Sequence, residues 1–158
     1  MDCLFCKMHA GEIPTKTLYE NEFVKAIMDI NPTSNGHVLI IPKKHVVDFM
    51  EMDNETLGHV NDALKIVKEM IYKALNPDGT VLVVNYGLTQ EVKHYHLHII
   101  PAYKDHQDIL PVDEIYDKIK KAQNWWYLNI DTSFYLLIKL NLLLFLHHFV
   151  MKWCRKQC

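Results

Sequence analysis

Residues 94–101 read His-Tyr-His-Leu-His-Ile-Ile-Pro, an alternation at a strand's period of two that places His94, His96 and His98 on one face. At a rise of about 3.3 Å per residue, His94 and His98 stand about 13 Å apart, too far for one metal ion to hold all three. The imidazoles must therefore divide the labour. A chance run or a solvated histidine-rich patch has the same spacing, so the surrounding sequence has to decide between these readings.

The rest of the chain supplies a sheet for such a strand. Strand-like runs occupy residues 17–20 and 23–28. A turn-rich segment, Asp29-Ile30-Asn31-Pro32-Thr33-Ser34-Asn35-Gly36, then leads into a third run, residues 37–42, as in an antiparallel meander. From Asp53, a helix N-cap, Leu57, Val60, Leu64, Val67, Ile71 and Ala74 recur at three and four residues until Asn76-Pro77 ends the pattern. Asp78-Gly79 turns the chain into a strand over residues 80–85, a polar loop spans 86–93, and the histidine strand closes the sheet. A short helix over residues 3–10 and a last one over 112–122, with Ile115, Ile119 and Ala122 on one face, complete the pattern. The expected fold is α+β, an antiparallel sheet of about five strands with helices packed on one face.

The chain has 158 residues, 49% of them apolar, and a net charge of −2, which suits one domain with a sizeable core. Without a basic excess to neutralise a run of phosphates, broad nucleic-acid binding is not expected, whereas small anionic ligands are compatible. The first residues have neither the basic head nor the apolar run of a secretory signal, so a reducing, cytoplasmic setting is expected. Four cysteines form two pairs, Cys3 with Cys6 and Cys154 with Cys158, too sparse for a disulfide scaffold. Metal binding, a redox couple and plain burial are all open to the first pair, and a metal would need two more ligands.

Residues 123–158 differ from the rest. Residues 134–150 are nearly all apolar but number seventeen, short of the roughly 20 wanted for a spanning helix, and basic residues follow them. Membrane insertion is not the expected use. A helix packed on the domain or on a partner subunit, or an extension without catalytic role, both remain open.

Several motifs recur together in order: Asp2-Cys3-Leu4-Phe5-Cys6-Lys7, Gly11-Glu12-Ile13-Pro14, Asp29-Ile30-Asn31-Pro32, residues 36–45 and Gln90-Glu91-Val92-Lys93-His94-Tyr95-His96-Leu97-His98. In order and spacing they resemble the histidine-triad (HIT) hydrolases of the Hint-like branch, over residues 2 to 121. The resemblance implies a HIT domain over residues 1–122, a homodimer, and attack at the α-phosphorus of a nucleoside phosphoramidate or adenylate through a nucleotidyl-histidine intermediate. A neutral imidazole suits attack on phosphorus that bears negative oxygens.

Within that resemblance His96 is the nucleophile, and His98 binds phosphate oxygens and aids departure of the leaving group, its charged form stabilising the developing oxyanion. His94 opens the triad and His37 supports it. A backbone carbonyl or side chain must hold His96 in the tautomer with the attacking nitrogen unprotonated. Asp29 accepts hydrogen bonds from the ribose hydroxyls, while Leu4, Phe5, Met8, Ile27 and Ile30 wall the base of a purine nucleotide. Asn85 and Gln90 donate near the phosphate. Cys3, Cys6, His45 and His94 form a closed tetrahedral set for one structural zinc per chain.

Two positions depart from the family pattern, Thr89 and Glu91, where glycine and serine are common. The carboxylate of Glu91 either repels the substrate phosphate or selects a cationic leaving group. Two further readings stay open: cleavage of dinucleoside polyphosphates, and a zinc-stabilised nucleotide-binding or scaffolding protein.

Overall fold

The computed structural model describes residues 2–129. The expectations for residues 134–150 and the cysteines that follow lie outside the described residues. Helix α1 (Leu4–His9) precedes strands β1 (Thr17–Glu20), β2 (Val24–Met28) and β3 (Val38–Pro42). Helix α2 (Asn54–Leu75), β4 (Gly79–Val84), β5 (Leu97–Ala102) and α3 (Val112–Asn129) follow, with short 3-10 turns at Phe49–Glu51 and Gly87–Thr89. All strand pairs are antiparallel, in the order β1-β2-β3-β5-β4.

The alternation along each strand sorts two cores. Val24, Ala26, Met28, Val38, Ile40, Leu97 and Ile99 face one way, into a cluster with Val60, Ala63, Val67 and Ile71 of α2 and Ile115 and Ile119 of α3. Ile27, Leu39 and Ile41 face the other way and pack with Cys3, which precedes α1, and with Phe5 and Met8 of that helix. Because both faces are covered, β2 and β3 are buried at every position, and β3 is apolar throughout. The expectation of helices on a single face therefore holds for α2 and α3, which lie in the first cluster, while α1 occupies the opposite face.

Asp53 caps α2 as the sequence indicates: its carboxylate accepts the Thr56 N–H at 2.7 Å and the Lys44 ammonium at 2.9 Å. These donors hold its carboxyl well below the usual carboxylate range, ahead of a small opposing desolvation effect. Asn76 ends the helix in the left-handed region at φ 48°, donating its N–H to the Tyr72 carbonyl. Val60, Val67 and Ile71 are buried as the periodicity indicates, Thr56, Ala63 and Met70 widen the stripe on one side, and Leu57, Leu64 and Ala74 are only partly buried on its flank.

The histidine strand does not close the sheet at an edge. It lies between β3 and β4, and the regular ladder begins only at Leu97, after the first two histidines. Its neighbour β3 is launched by Gly36 at φ 88°, where a Cβ would come within 2.6 Å of Leu75 Cδ1 and 3.3 Å of a Pro101 carbon. Only glycine fits that turn against α2 and β5, and the turn sets where His37 enters the site.

Candidate active site and metal centre

The register of β3 on β5 pairs Leu39 with His98, so the even-numbered histidines of residues 94–98 and the odd-numbered positions of β3 share the α1 face. His96 and His98 have ring centroids 5.0 Å apart, and His37 lies 5.2 Å from His98. Phe5 packs edge-on against His96 at 5.1 Å and His94 at 5.8 Å, tying α1 to the run.

Hydrogen bonding determines which nitrogen of each ring is free. His96 Nδ1 lies 2.7 Å from the His94 carbonyl. A carbonyl only accepts, so Nδ1 carries the proton and Nε2 keeps its lone pair. The tautomer required of a nucleophile is thus held by the backbone two residues upstream, a group that no side-chain motif announces.

A second chain of contacts orients His98. The Thr33 backbone N–H donates to His37 Nδ1 at 3.3 Å, which leaves the His37 proton on Nε2, 2.9 Å from His98 Nδ1. His98 then accepts at Nδ1 and carries its own hydrogen on Nε2. The Asn85 amide lies 3.3 Å from that nitrogen. An asparagine amide can turn to present its oxygen whereas a backbone N–H cannot reverse, so the Thr33 contact sets the direction. Asp29 Oδ2 stands 3.5 Å from His37 Nε2 and 3.9 Å from His98 Nδ1, beside the shared proton.

Burial pushes the His98 imidazole down to about 4, with His96 and His37 adding to the shift and Asp29 opposing it. His37 is also lowered by burial, against the pull of Asp29. Without substrate, both rings are therefore neutral at pH 7, and His98 offers a neutral N–H to the cleft.

This has a consequence for stability. In the unfolded chain both histidines return to about 6.5 and bind protons more readily than in the fold. Their contribution is complete above about pH 6.5 and is lost as pH falls through the depressed folded values toward about 4. The melting temperature is expected to fall across that window, less steeply in His98→Gln; equal slopes in the two proteins would remove His98 from the effect.

The rings open on a cleft of about 370 Å³. Asp29, Asn85, His37, His96 and His98 line its polar part, and Leu4, Phe5, Met8, Ile27 and Ile30 its apolar part. Leu4 and Ile30 are 42% and 76% exposed and form the open part of this wall, whereas Phe5, Met8 and Ile27 belong to the second buried cluster. Asp29 Oδ1 is bound by the Asn31 N–H at 2.9 Å, which fixes the carboxylate beside the histidines.

Gln90 is placed differently. It is buried, does not line the cleft, and donates its amide to the Val47 carbonyl at 2.9 Å, while its Oε1 is buried without a partner among the described residues. Its position anchors the loop after β4 rather than presenting a donor to phosphate. Among the other cleft-lining residues, Thr89, Glu91 and Val92 come from the same loop.

At the other end of the histidine run, Cys3, Cys6, His45 and His94 bring four ligand atoms within 4.8 Å of one another. Cys3 Sγ to His94 Nδ1 is 3.4 Å, Cys6 Sγ to His45 Nδ1 is 3.4 Å, and Cys6 Sγ to His94 Nδ1 is 3.7 Å. Zn–S and Zn–N bonds of about 2.3 and 2.0–2.1 Å at tetrahedral angles place S and N about 3.5 Å apart, so the set fits zinc. His94 Nε2 lies 2.8 Å from the Pro42 carbonyl, which places its proton there and turns the Nδ1 lone pair to the thiols. Burial lowers His94 to about 4, the neutral form that ligation needs, and raises the Cys6 thiol, a shift that a bound cation would reverse.

His9, which no sequence motif singles out, also belongs to this cluster. Its Nε2 shares the Pro42 carbonyl at 3.0 Å, and its ring lies 5.9 Å from His94. Its place three residues after Cys6 on α1 was the available signal, since that spacing shares a helix face.

The HIT domain family matches residues 10–105, and the chain belongs to the HIT family. Over 115 residues it is 43% identical to an uncharacterized HIT-like protein of Methanocaldococcus jannaschii, covering 72% of this chain and 88% of that protein. It is 41% identical over 103 residues to the adenosine 5'-monophosphoramidase of Schizosaccharomyces pombe, covering 64% and 74% respectively. A zinc-bound histidine triad family protein of Mycobacterium smegmatis has the same fold, with a TM-score of 0.71 at 28% identity, over 80% of this chain and 96% of that one. The five-stranded antiparallel sheet with its helices is thus the HIT fold, and the family includes nucleotide hydrolases. Among the described residues, no helix is long and apolar enough to cross a membrane.

Proposed function

We propose that this chain hydrolyses or transfers the nucleotide of a nucleoside phosphoramidate or adenylate through a nucleotidyl-histidine intermediate on His96. The observation that carries this reading is the 2.7 Å contact from His96 Nδ1 to the His94 carbonyl, which leaves Nε2 as a buried, preoriented nucleophile. Nε2 attacks the α-phosphorus, forming the P–N bond to His96 while the P–N bond to the leaving amine, which takes a proton from His98, or the P–O bond to the leaving carboxylate breaks. The positive charge arising on His96 is matched by the His94 carbonyl, and the Nε2–H of His98 serves a phosphate oxygen or the departing atom. Water then cleaves the P–N bond to His96, releasing the nucleotide and restoring the ring.

Asp29 holds the ribose hydroxyls, and the wall of Leu4, Phe5, Met8, Ile27 and Ile30 receives a purine. Cys3, Cys6, His45 and His94 hold one zinc, which supplies a rigid tie between α1 and the catalytic run and takes no part in bond breaking. A reducing, cytoplasmic setting suits the two thiol ligands. The expected result with purified protein is release of AMP from an adenosine phosphoramidate, with dinucleoside triphosphate cleaved far more slowly. Equal or faster cleavage of the dinucleotide would favour the polyphosphate reading.

Among the described residues β4 is an edge strand without a second partner, and it leaves Val81, Leu82 and Val84 40–50% exposed, which suits a second copy of the chain. Sedimentation is expected to show a dimer that Leu82→Lys dissociates. A wild-type monomer would refute this assembly.

A further inference from the structure

Glu91 lies on the rim of the cleft that contains His96 and His98. Its neighbours are tied down: Gln90 to the Val47 carbonyl, Lys93 to the Gly87 carbonyl, and Val92 against the cluster around Phe5. The backbone that carries Glu91 is therefore held at the rim. The carboxylate itself is exposed and has no ion-pair partner among the described residues.

The charge of the whole cleft gives this position its meaning. Asp29 and Glu91 are the carboxylates of its lining, and no lysine or arginine lines it among the described residues. Sites built for several phosphates surround them with lysine, arginine or metal, because each added negative charge needs a counter-charge. Here the polar contacts for the reacting phosphate are imidazoles and the Asn85 amide, groups that suit one phosphoryl centre. Asp29 is already engaged by the Asn31 N–H and lies beside His37, whereas Glu91 has no such partner. Its free charge is available to whatever projects from the reacting phosphorus toward the rim.

We propose that Glu91 is a specificity-determining residue that selects substrates whose leaving group carries a protonated amine. This rests on the phosphoramidate reading above and names the leaving-group class for that same site. The carboxylate attracts the ammonium, holds the leaving group over the rim, and disfavours leaving groups that bring carboxylates or further phosphates. No new bond forms or breaks: the P–N bond of the substrate is cleaved as before, and only the electrostatic bias on its outer end changes. The effect is modest, since one ion pair at a solvated rim shifts a ratio about three- to fivefold and weakens as salt rises.

The test uses three adenosine 5'-phosphoramidates with alkyl leaving groups of equal length, ending in an ammonium, a hydroxyl or a carboxylate. For the wild-type chain, kcat/KM is expected to fall in that order, with about three- to fivefold between ammonium and hydroxyl at low salt. In Glu91→Gln the three values are expected to converge, and in Glu91→Lys the order is expected to reverse. Glu91 is exposed and makes no contact that folding needs, so both variants are expected to melt with the wild type. Cleavage of all three substrates with ratios that do not change among the three proteins would overturn the selectivity while leaving the hydrolase reading intact. A folded wild-type protein that cleaves none of them would overturn both.

Discussion

His96→Ala is expected to lower kcat for an adenosine phosphoramidate on the order of 10³-fold or more while nucleotide binding survives. The magnitude follows from the role: removing a nucleophile abolishes the covalent route and leaves whatever the positioned phosphate and a water molecule can achieve. Binding survives because Asp29 is held by the Asn31 N–H, and Phe5, although it loses its edge contact with His96, keeps its packing on His94 and in the second apolar cluster. The substitution also strips the His94 carbonyl of its 2.7 Å partner, at a cost of about 1–3 kcal/mol, so stability is to be measured beside turnover. His96→Asn, which retains a side-chain N–H donor, separates the two effects. If it is as stable as wild type and equally inactive, the loss is chemical. A folded His96→Ala protein with unchanged turnover would remove His96 from the mechanism and leave the scaffold reading.

The second large effect concerns the metal. The native protein is expected to contain about one zinc per chain, and Cys3→Ser or a strong chelator to remove it. Cys3 precedes α1, while His45 follows β3 and His94 precedes β5, so an ion held by this set would join three segments far apart in sequence. Since the domain keeps two apolar clusters of its own, loss of zinc should weaken the fold rather than abolish it. The expected fall in melting temperature is on the order of 10 °C, or about 3 to 4 kcal/mol. The nucleotide KM should rise with it, because α1 carries Phe5 and Met8 into the cleft wall. A native protein that is metal-free and just as stable would refute the metal centre.

Much of this arrangement is local, and local features are legible in a sequence. Asp53 and Asn76 mark both ends of α2 because capping chemistry acts over four residues, and the alternation from His94 to His98 correctly assigns one face to three imidazoles. The place of β5 between β3 and β4 is not local. It depends on pairings across more than fifty residues, such as Leu39 with His98, which the chain's own periodicity leaves open.

The site divides along the same line. Cys3, Cys6, His45 and His94 are brought together as the family resemblance implies, yet the carbonyl of Pro42 that orients His94 has no signature in a side chain. The family resemblance implies Gln90 at the phosphate, whereas its amide is used by the Val47 carbonyl. The neutral state of His98 likewise follows from burial, which only the packed fold supplies. Ile30 is apolar yet 76% exposed where it lines the cleft, an exposure that its residue type does not announce.

The most direct test is to mix the protein with an adenosine phosphoramidate, quench within milliseconds under conditions that preserve a P–N bond, and map the adduct by mass spectrometry. The account predicts an adenylyl group on His96, absent in His96→Ala and formed and lost at rates compatible with turnover. An adenylyl group on another residue, or single turnover with water oxygen incorporated into AMP and no adduct at any time point, would contradict it.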